Sequence, residues 1–165
     1  SKEAFEGTMR STAMIMLIIL AAVFLNFVLG FMGVTQAILE AIKELGWTPM
    51  QTMIVIICFY LLLGMFMETL SMMLTTIPVV FPIVVYLGFD PVWFGIMITV
   101  LMEAALITPP IGINLYVVHG IRARGGNFND VSYGAVPFLF GMFFLIAFLL
   151  IFPDLALWLP QLVYH

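Results

Sequence analysis

The sequence predicts an all-α integral membrane protein. Of its 165 residues, 64% are hydrophobic and only 8% are charged, whereas a soluble domain carries about 25% charged residues. Several apolar runs approach the roughly 20 residues that a helix needs to cross a bilayer. The five Lys and Arg residues form no basic patch, which argues against nucleic-acid binding. No metal-ligand, nucleophile–base or phosphate-loop motif is present, so the sequence predicts neither an enzyme nor a bound cofactor.

The first predicted span covers residues 12–34, an apolar run without charges. Asn26, a strong polar group within it, is expected to hydrogen-bond to a neighbouring helix. Residues 35–46 place apolar side chains at helical spacing with charged groups between them. This pattern predicts a short amphipathic helix at the membrane interface, with Thr35 as its N-cap and Gly46 at its end.

Residues 50–67 and 72–87 form two apolar arms joined by a polar tip, Glu68 to Ser71. Either both arms cross the membrane, or they form a re-entrant hairpin whose tip stops inside it. The hairpin is favoured because a short connection with an acid suits a tip packed against protein. In that case Glu68 binds an ion or holds the tip against its neighbour, whereas in the alternative it is a solvated loop acid.

A broken helix follows. Asp90 before Pro91 marks its start, and two half-helices, 92–107 and 110–121, flank two adjacent prolines. The residues of the break are Thr108, Pro109, Pro110, Gly112 and Asn114. Prolines remove backbone donors, and broken membrane helices are typical of sites that hold ions and anionic substrates at half-helix ends. The alternative is a proline kink satisfied by neighbouring helices.

The short loop at 122–130 contains Arg122 and Arg124, and the last span is predicted at 135–152. Because Lys and Arg favour the cytoplasmic side, this loop is expected in the cytoplasm and the C-terminus outside it. The chain begins without an initiator Met or a signal-peptide pattern. We therefore expect it to be a part of a longer permease.

The run from Glu103 to Ile121 resembles a signature of the large membrane subunit of TRAP transporters, the tripartite ATP-independent periplasmic family. The segments Gly64–Glu68 and Thr75–Pro78 resemble the hairpin that precedes this signature, and the order of elements from 9 to 163 resembles the C-terminal half of that subunit.

The resemblance implies one inverted repeat of an elevator-type secondary transporter in the bacterial inner membrane, with a periplasmic C-terminus. Such transporters import organic acids, of the C4-dicarboxylate, sialic acid or 2-oxo acid type, with Na⁺ as the coupling ion. The implied partners are the N-terminal half of the same large subunit, a small membrane (Q) subunit and a periplasmic substrate-binding protein.

The resemblance also divides the chain. Residues 1–48 would be a scaffold transmembrane helix with an interfacial arm helix. Residues 49–131 would be the transport part, with the hairpin at 50–87 and the broken helix at 91–121, and residues 132–165 the last transmembrane helix and outer tail. The implied substrate and ion ligands are Thr108, Pro109, Pro110, Gly112, Asn114, Glu68, Thr69, Ser71, Thr75 and Thr76. Na⁺ would bind near Thr108, Gly112, Asn114 and the 68–76 tip, and one repeat alone would not transport.

Two other functions remain open on the sequence. In a membrane scaffold or assembly subunit that does not transport, the break is only a kink. In a channel, the broken helix lines a pore. The channel is less favoured because one acid and a few neutral polar groups make a poor continuous aqueous path.

Overall fold

The computed structural model describes residues 2–108, 112–122 and 126–163, and every regular element in these ranges is a helix. The helices in chain order are α1 (Lys2–Phe31), α2 (Val34–Glu44), α3 (Pro49–Gly64), α4 (Thr69–Tyr86), α5 (Pro91–Leu106), α6 (Ile113–Ile121), α7 (Phe128–Ile151) and α8 (Asp154–Val163). Within these residues, α1, α4 and α7 are long and apolar enough to cross a membrane. The prediction of an all-helical, membrane-type chain is therefore confirmed.

Helix α5 is the centre of the core. It packs against α3, α4, α7 and α8, and it also contacts α6. Its buried side chains include Trp93, Met97, Leu101 and Met102, each about 1% exposed. Glu103, by contrast, is exposed. The helix that carries the predicted break is therefore also the one on which most of the other helices pack.

The first two helices differ from their predicted bounds. Helix α1 begins at Lys2 and ends at Phe31, so the span predicted at 12–34 starts earlier and stops sooner. Thr35 is not the N-cap of α2, because that position belongs to Gly33, whose φ of 69° is in the left-handed region. A glycine adopts this conformation without steric penalty, so the chain turns before Thr35 and leaves it inside the helix.

The two arms are α3 and α4, and their connection lies earlier than predicted. Helix α3 begins with a capping box between Thr48 and Gln51. The non-helical connection is Met65 to Glu68, because Glu68 is the N-cap of α4 and the following residues are already helical. The predicted tip at 68–71 is therefore wrong in its bounds by about one turn.

Two backbone carbonyls have a proline four residues later, so the usual helical N–H donor is missing. Side chains from other helices donate to these carbonyls instead. Pro78 has no N–H to offer Leu74 within α4, and the Asn26 amide nitrogen donates to the Leu74 carbonyl at 2.8 Å. The helix–helix hydrogen bond expected for Asn26 is thus confirmed. At the end of α7, Pro153 likewise has no N–H for Leu149.

Trp93 supplies the donor at this second carbonyl, since its indole nitrogen donates to the Leu149 oxygen at 2.9 Å. The bond is buried and joins α5 to α7. A buried carbonyl without a donor costs about 1–3 kcal/mol. Proline positions therefore determine where α1 is joined to α4 and where α5 is joined to α7.

The C-terminal part also departs from the predicted bounds. Helix α6 begins at Ile113, not at 110. Helix α7 begins at Phe128 rather than 135, inside the predicted loop, where the Asp130 carboxylate accepts from the Asn127 amide at 3.2 Å. Helix α8 was not predicted, since its short apolar run follows Pro153 without a helical repeat long enough to recognise.

Replacing Trp93 by Phe keeps most of the ring but removes the donor to Leu149. We expect Trp93→Phe to lower the unfolding free energy of the full-length protein by about 1–3 kcal/mol, measured by thermal unfolding in detergent. Trp158→Phe is the control, because Trp158 is 64% exposed. Equal unfolding temperatures for the two variants would contradict this role of the Trp93 hydrogen bond.

Candidate functional site

The last turn of α5 tightens before the break. The Ile107 amide bonds to the Ala104 carbonyl at 3.3 Å and the Thr108 amide to the Ala105 carbonyl at 3.2 Å, each three residues back instead of four. The Thr108 hydroxyl also donates to the Ala104 carbonyl at 2.7 Å. At the end of the helix, the carbonyls of Ala104 and Ala105 therefore accept hydrogen bonds from the backbone amides and the hydroxyl of the two residues that follow it.

Two further carbonyls converge on Gly112. Its φ is 29°, and a Cβ added there would stand 3.0 Å from the Leu106 oxygen and 3.1 Å from the Thr108 oxygen. Residue 110 is a proline, so it has no amide for the Leu106 carbonyl. The predicted ligands Pro109 and Pro110 lie outside the described residues. The Leu115 Cδ1 methyl lies 3.1 Å from the same position, so the break brings two carbonyl oxygens and one methyl group close to the place where a side chain of residue 112 would stand.

Helix α6 begins directly after this point. Its N-cap is Gly112, which provides no side-chain cap, and the Leu115 amide bonds to the Gly112 carbonyl at 2.8 Å. The N-terminus of a helix carries partial positive charge and unpaired amides. The break thus places carbonyl oxygens and a helix N-terminus next to each other, which are the groups suited to a cation and an anion respectively.

The hairpin tip is joined to the break by a close contact. A Cβ added at Gly64 would overlap the Cβ of Ala105 and would lie 3.5 Å from the terminal methyl of Met72. Both Ala105 and Met72 are fully buried. The connection that starts at Met65 and the break that starts at Ile107 therefore follow one and two residues after the two sides of this contact.

Glu68 caps its own helix. Its carboxylate accepts from the Leu70 amide at 2.9 Å and from the Ser71 amide at 2.7 Å, and the Ser71 hydroxyl donates to it as well. A carboxylate in this position satisfies unpaired amides and interacts favourably with the helix dipole. Thr69 is half-buried in the same first turn. Their assignment as ion or substrate ligands stays a prediction.

Thr76 takes part in a buried relay between the two arms. Its hydroxyl donates to the Met72 carbonyl at 2.7 Å, and its oxygen lies 2.7 Å from the Tyr60 hydroxyl. Because the one Thr76 proton is used on Met72, Tyr60 is the donor to Thr76. Thr75 and Thr76 line an apolar groove of about 360 Å³ against α1 and α2, away from the break.

Asn114 faces a different groove, of about 900 Å³, between α6 and α7. This groove is mainly apolar and ends at the ion pair between Arg122 and Asp130, whose charged atoms are 3.3 Å apart. Thr108 is not among the residues that line it. The described residues thus bring Thr108 and Gly112 together at the break. Asn114 lines a groove that also includes Ile107, where the break starts, whereas Thr75 and Thr76 line the groove against α1 and α2.

Across residues 2–108, 112–122 and 126–163, no group of three or more His, Cys, Asp or Glu side chains could hold a metal ion. The sequence did not indicate the contacts of Tyr60 and Gly64, and it predicted free carbonyls at the end of the first half-helix without assigning them to Leu106. The only signal for that carbonyl was its position four residues before Pro110.

A family model described as "Tripartite ATP-independent periplasmic transporter, DctM component" matches residues 1–155. The chain belongs to this family. It is 38% identical to the C4-dicarboxylate TRAP transporter large permease protein DctM of Vibrio cholerae serotype O1, over 92% of the chain and 33% of that protein.

Two other TRAP large permeases show similar coverage. The sialic acid TRAP transporter large permease protein SiaM of the same organism is 28% identical over 97% of the chain and 37% of its own length. The ectoine TRAP transporter large permease protein TeaC of Halomonas elongata is 32% identical over 93% of the chain and 36% of its own length. The chain spans about a third of the length of the curated relatives that it matches.

Exchanging the two residues in the tip–break contact tests it directly. Gly64→Ala should destabilise the full-length TRAP permease by about 1–3 kcal/mol, as overpacking does, and adding Ala105→Gly should restore part of the loss. Gly95→Ala is the matched control, because nothing lies within 4 Å of its added Cβ. Thermal unfolding measures all three, and a Gly64→Ala protein as stable as the control would refute the close contact.

Tyr60→Phe removes the donor to Thr76 without changing the ring. We expect a loss of about 0.5–1.5 kcal/mol in unfolding free energy, because the hydroxyl is buried with the rest of the side chain. Tyr133→Phe serves as the comparison, since Tyr133 is 76% exposed. If chemical unfolding gave the same midpoint for both variants, the Tyr60–Thr76 bond would contribute nothing.

Proposed function

We propose that this chain forms one repeat of an elevator-type, Na⁺-coupled permease that imports an organic acid. Membership of the TRAP large-permease family supports transport. The substrates named for the relatives include C4-dicarboxylates, sialic acid, ectoine and 2,3-diketo-L-gulonate. All of these carry a carboxylate, which is the group that a helix N-terminus binds.

The single observation that carries the proposal is the convergence at Gly112. The Leu106 and Thr108 oxygens lie 3.0 and 3.1 Å from the position where a side chain of residue 112 would otherwise stand. Na⁺ is a small hard cation that binds oxygen ligands, and unwound carbonyls at broken helices are a recurring Na⁺ site in secondary transporters. The start of α6 beside it would receive part of the substrate carboxylate.

The length of α3 supports a re-entrant arrangement. Helix α3 has 16 residues, which correspond to about 24 Å of helix. A bilayer core is about 30 Å thick, so α3 falls short of a perpendicular crossing, whereas α4 is long and apolar enough to cross. The close contact of Gly64 with Ala105 would then hold the tip against the break inside the membrane.

The remaining site and partners come from outside this segment. In the proposal, residues 1–48 belong to the scaffold, 49–131 move as the transport part, and 132–165 carry the last transmembrane helix. The N-terminal half of the large subunit supplies the other half of the site, a small membrane subunit braces it, and a periplasmic binding protein delivers the acid. The 122–130 loop faces the cytoplasm and the C-terminus the periplasm.

Uptake into proteoliposomes tests the proposal, with the full-length permease, its small subunit, its binding protein and an imposed Na⁺ gradient. In the proposal, the Thr108 hydroxyl oxygen is a further Na⁺ ligand, because its proton is donated to the Ala104 carbonyl and its lone pairs stay available. We expect Thr108→Val to remove this ligand and to raise the Na⁺ concentration for half-maximal uptake by about tenfold.

Thr99→Val is the matched control, because the Thr99 hydroxyl also donates to its own helix, at 2.8 Å from the Gly95 carbonyl, but lies away from the break. It should leave the Na⁺ requirement unchanged. Uptake that is independent of Na⁺, or equal Na⁺ requirements in the two variants, would count against the ion site. No uptake under any gradient would favour a scaffold that does not transport.

A further inference from the structure

Helix α4 carries two prolines one turn apart, Pro78 and Pro82. Since neither has an N–H, the carbonyls of Leu74 and Pro78 lack the hydrogen bond that a regular helix would give them. Carbonyls four residues apart lie about 40° apart around the helix and about 6 Å apart along it. Helix α4 therefore presents two acceptors in succession on nearly the same face.

Asn26 of α1 occupies the first of these acceptors, with its amide nitrogen 2.8 Å from the Leu74 oxygen. A carbonyl can only accept, so the NH₂ group and not the oxygen of Asn26 must face it. The Asn26 side-chain oxygen is buried and has no partner among the described residues. The contact thus consists of one hydrogen bond beside an unsatisfied acceptor. Because the net stabilisation by one such hydrogen bond is small, the Asn26 amide can exchange this acceptor for another at low cost.

The surfaces around this contact are otherwise apolar. Leu29 of α1 lines the same groove as Val79 and Ile83 of α4. Among the described side chains, the Asn26 amide makes the hydrogen bond that joins α1 to α4. Apolar packing has no fixed direction, and shifts of packed helices by one turn are a known form of conformational change. Sliding α4 past α1 by one turn would exchange one side-chain hydrogen bond for an equivalent one.

We propose that Asn26 sets the register of α4 against α1, and that the Pro78 carbonyl is the second position of its amide. Asn26 is then a positioning residue that gives the hairpin two discrete positions about 6 Å apart instead of a continuous slide. The inference rests on the proposed function, in which the hairpin moves against a scaffold that includes α1.

Disulfide trapping in the full-length permease, with its small subunit present, measures the register. In a background with Cys58→Ser and no other native cysteine, the pair Leu29→Cys with Val79→Cys reports the first position. The pair Leu29→Cys with Ile83→Cys reports the second, because residues 79 and 83 are one turn apart. The quantity measured is the ratio of the second yield to the first.

Pro82→Ala gives the Pro78 carbonyl an amide within α4 and so removes the second position. We expect the ratio to fall about threefold to tenfold, the range that one net hydrogen bond covers. In an Asn26→Leu background the same change should leave the ratio unaltered. Pro160→Ala, which changes a proline inside α8, is the control and should not move the ratio.

An unchanged ratio in Pro82→Ala would overturn the proposal. A fall of the same size in the Asn26→Leu background would also overturn it, since straightening of α4 rather than the Asn26 amide would then be the cause. The trapping does not require uptake. The expected trapping ratios without Na⁺-dependent uptake would therefore support the register proposal and refute only the proposed function.

Discussion

The structure depends on how backbone carbonyls are satisfied where proline removes their amide. In an apolar surrounding an unpaired carbonyl is costly, and this chain has nine prolines. At Leu74 and Leu149 the missing donor is replaced by Asn26 and Trp93 from other helices. These two bonds join α1 to α4 and α5 to α7, so the same constraint that interrupts single helices also joins them in pairs.

The break after α5 is a different case of the same constraint. Thr108 turns its amide and its hydroxyl onto the carbonyls of the preceding turn. The Leu106 and Thr108 oxygens instead converge at Gly112, and no side-chain donor among the described residues reaches them. The proposed ion site rests on this pair of oxygens, which lie 3.0 and 3.1 Å from the position that a Cβ of residue 112 would occupy.

Local patterns predicted the parts of the fold that depend on neighbours in sequence. Asp90 and Pro91 gave the start of α5, and the adjacent prolines at 109 and 110 gave the interruption before α6. The cap of α2 was missed because it depends on a left-handed Gly33, and the tip was displaced because Glu68 binds the amides of its own helix. The Gly64–Ala105 contact and the Tyr60–Thr76 bond join separate helices, so no periodicity in either segment reveals them.

A cation-dependent thermal shift of the purified full-length permease tests whether the oxygens at the break bind the proposed coupling ion. A ligand that binds only the folded state stabilises it in proportion to the logarithm of its concentration. We expect the unfolding temperature to rise with Na⁺ but not with choline, and the rise to be smaller in Gly112→Ala, where a methyl group would stand about 3 Å from both carbonyl oxygens. An identical Na⁺-dependent rise in the parent and the variant would contradict it.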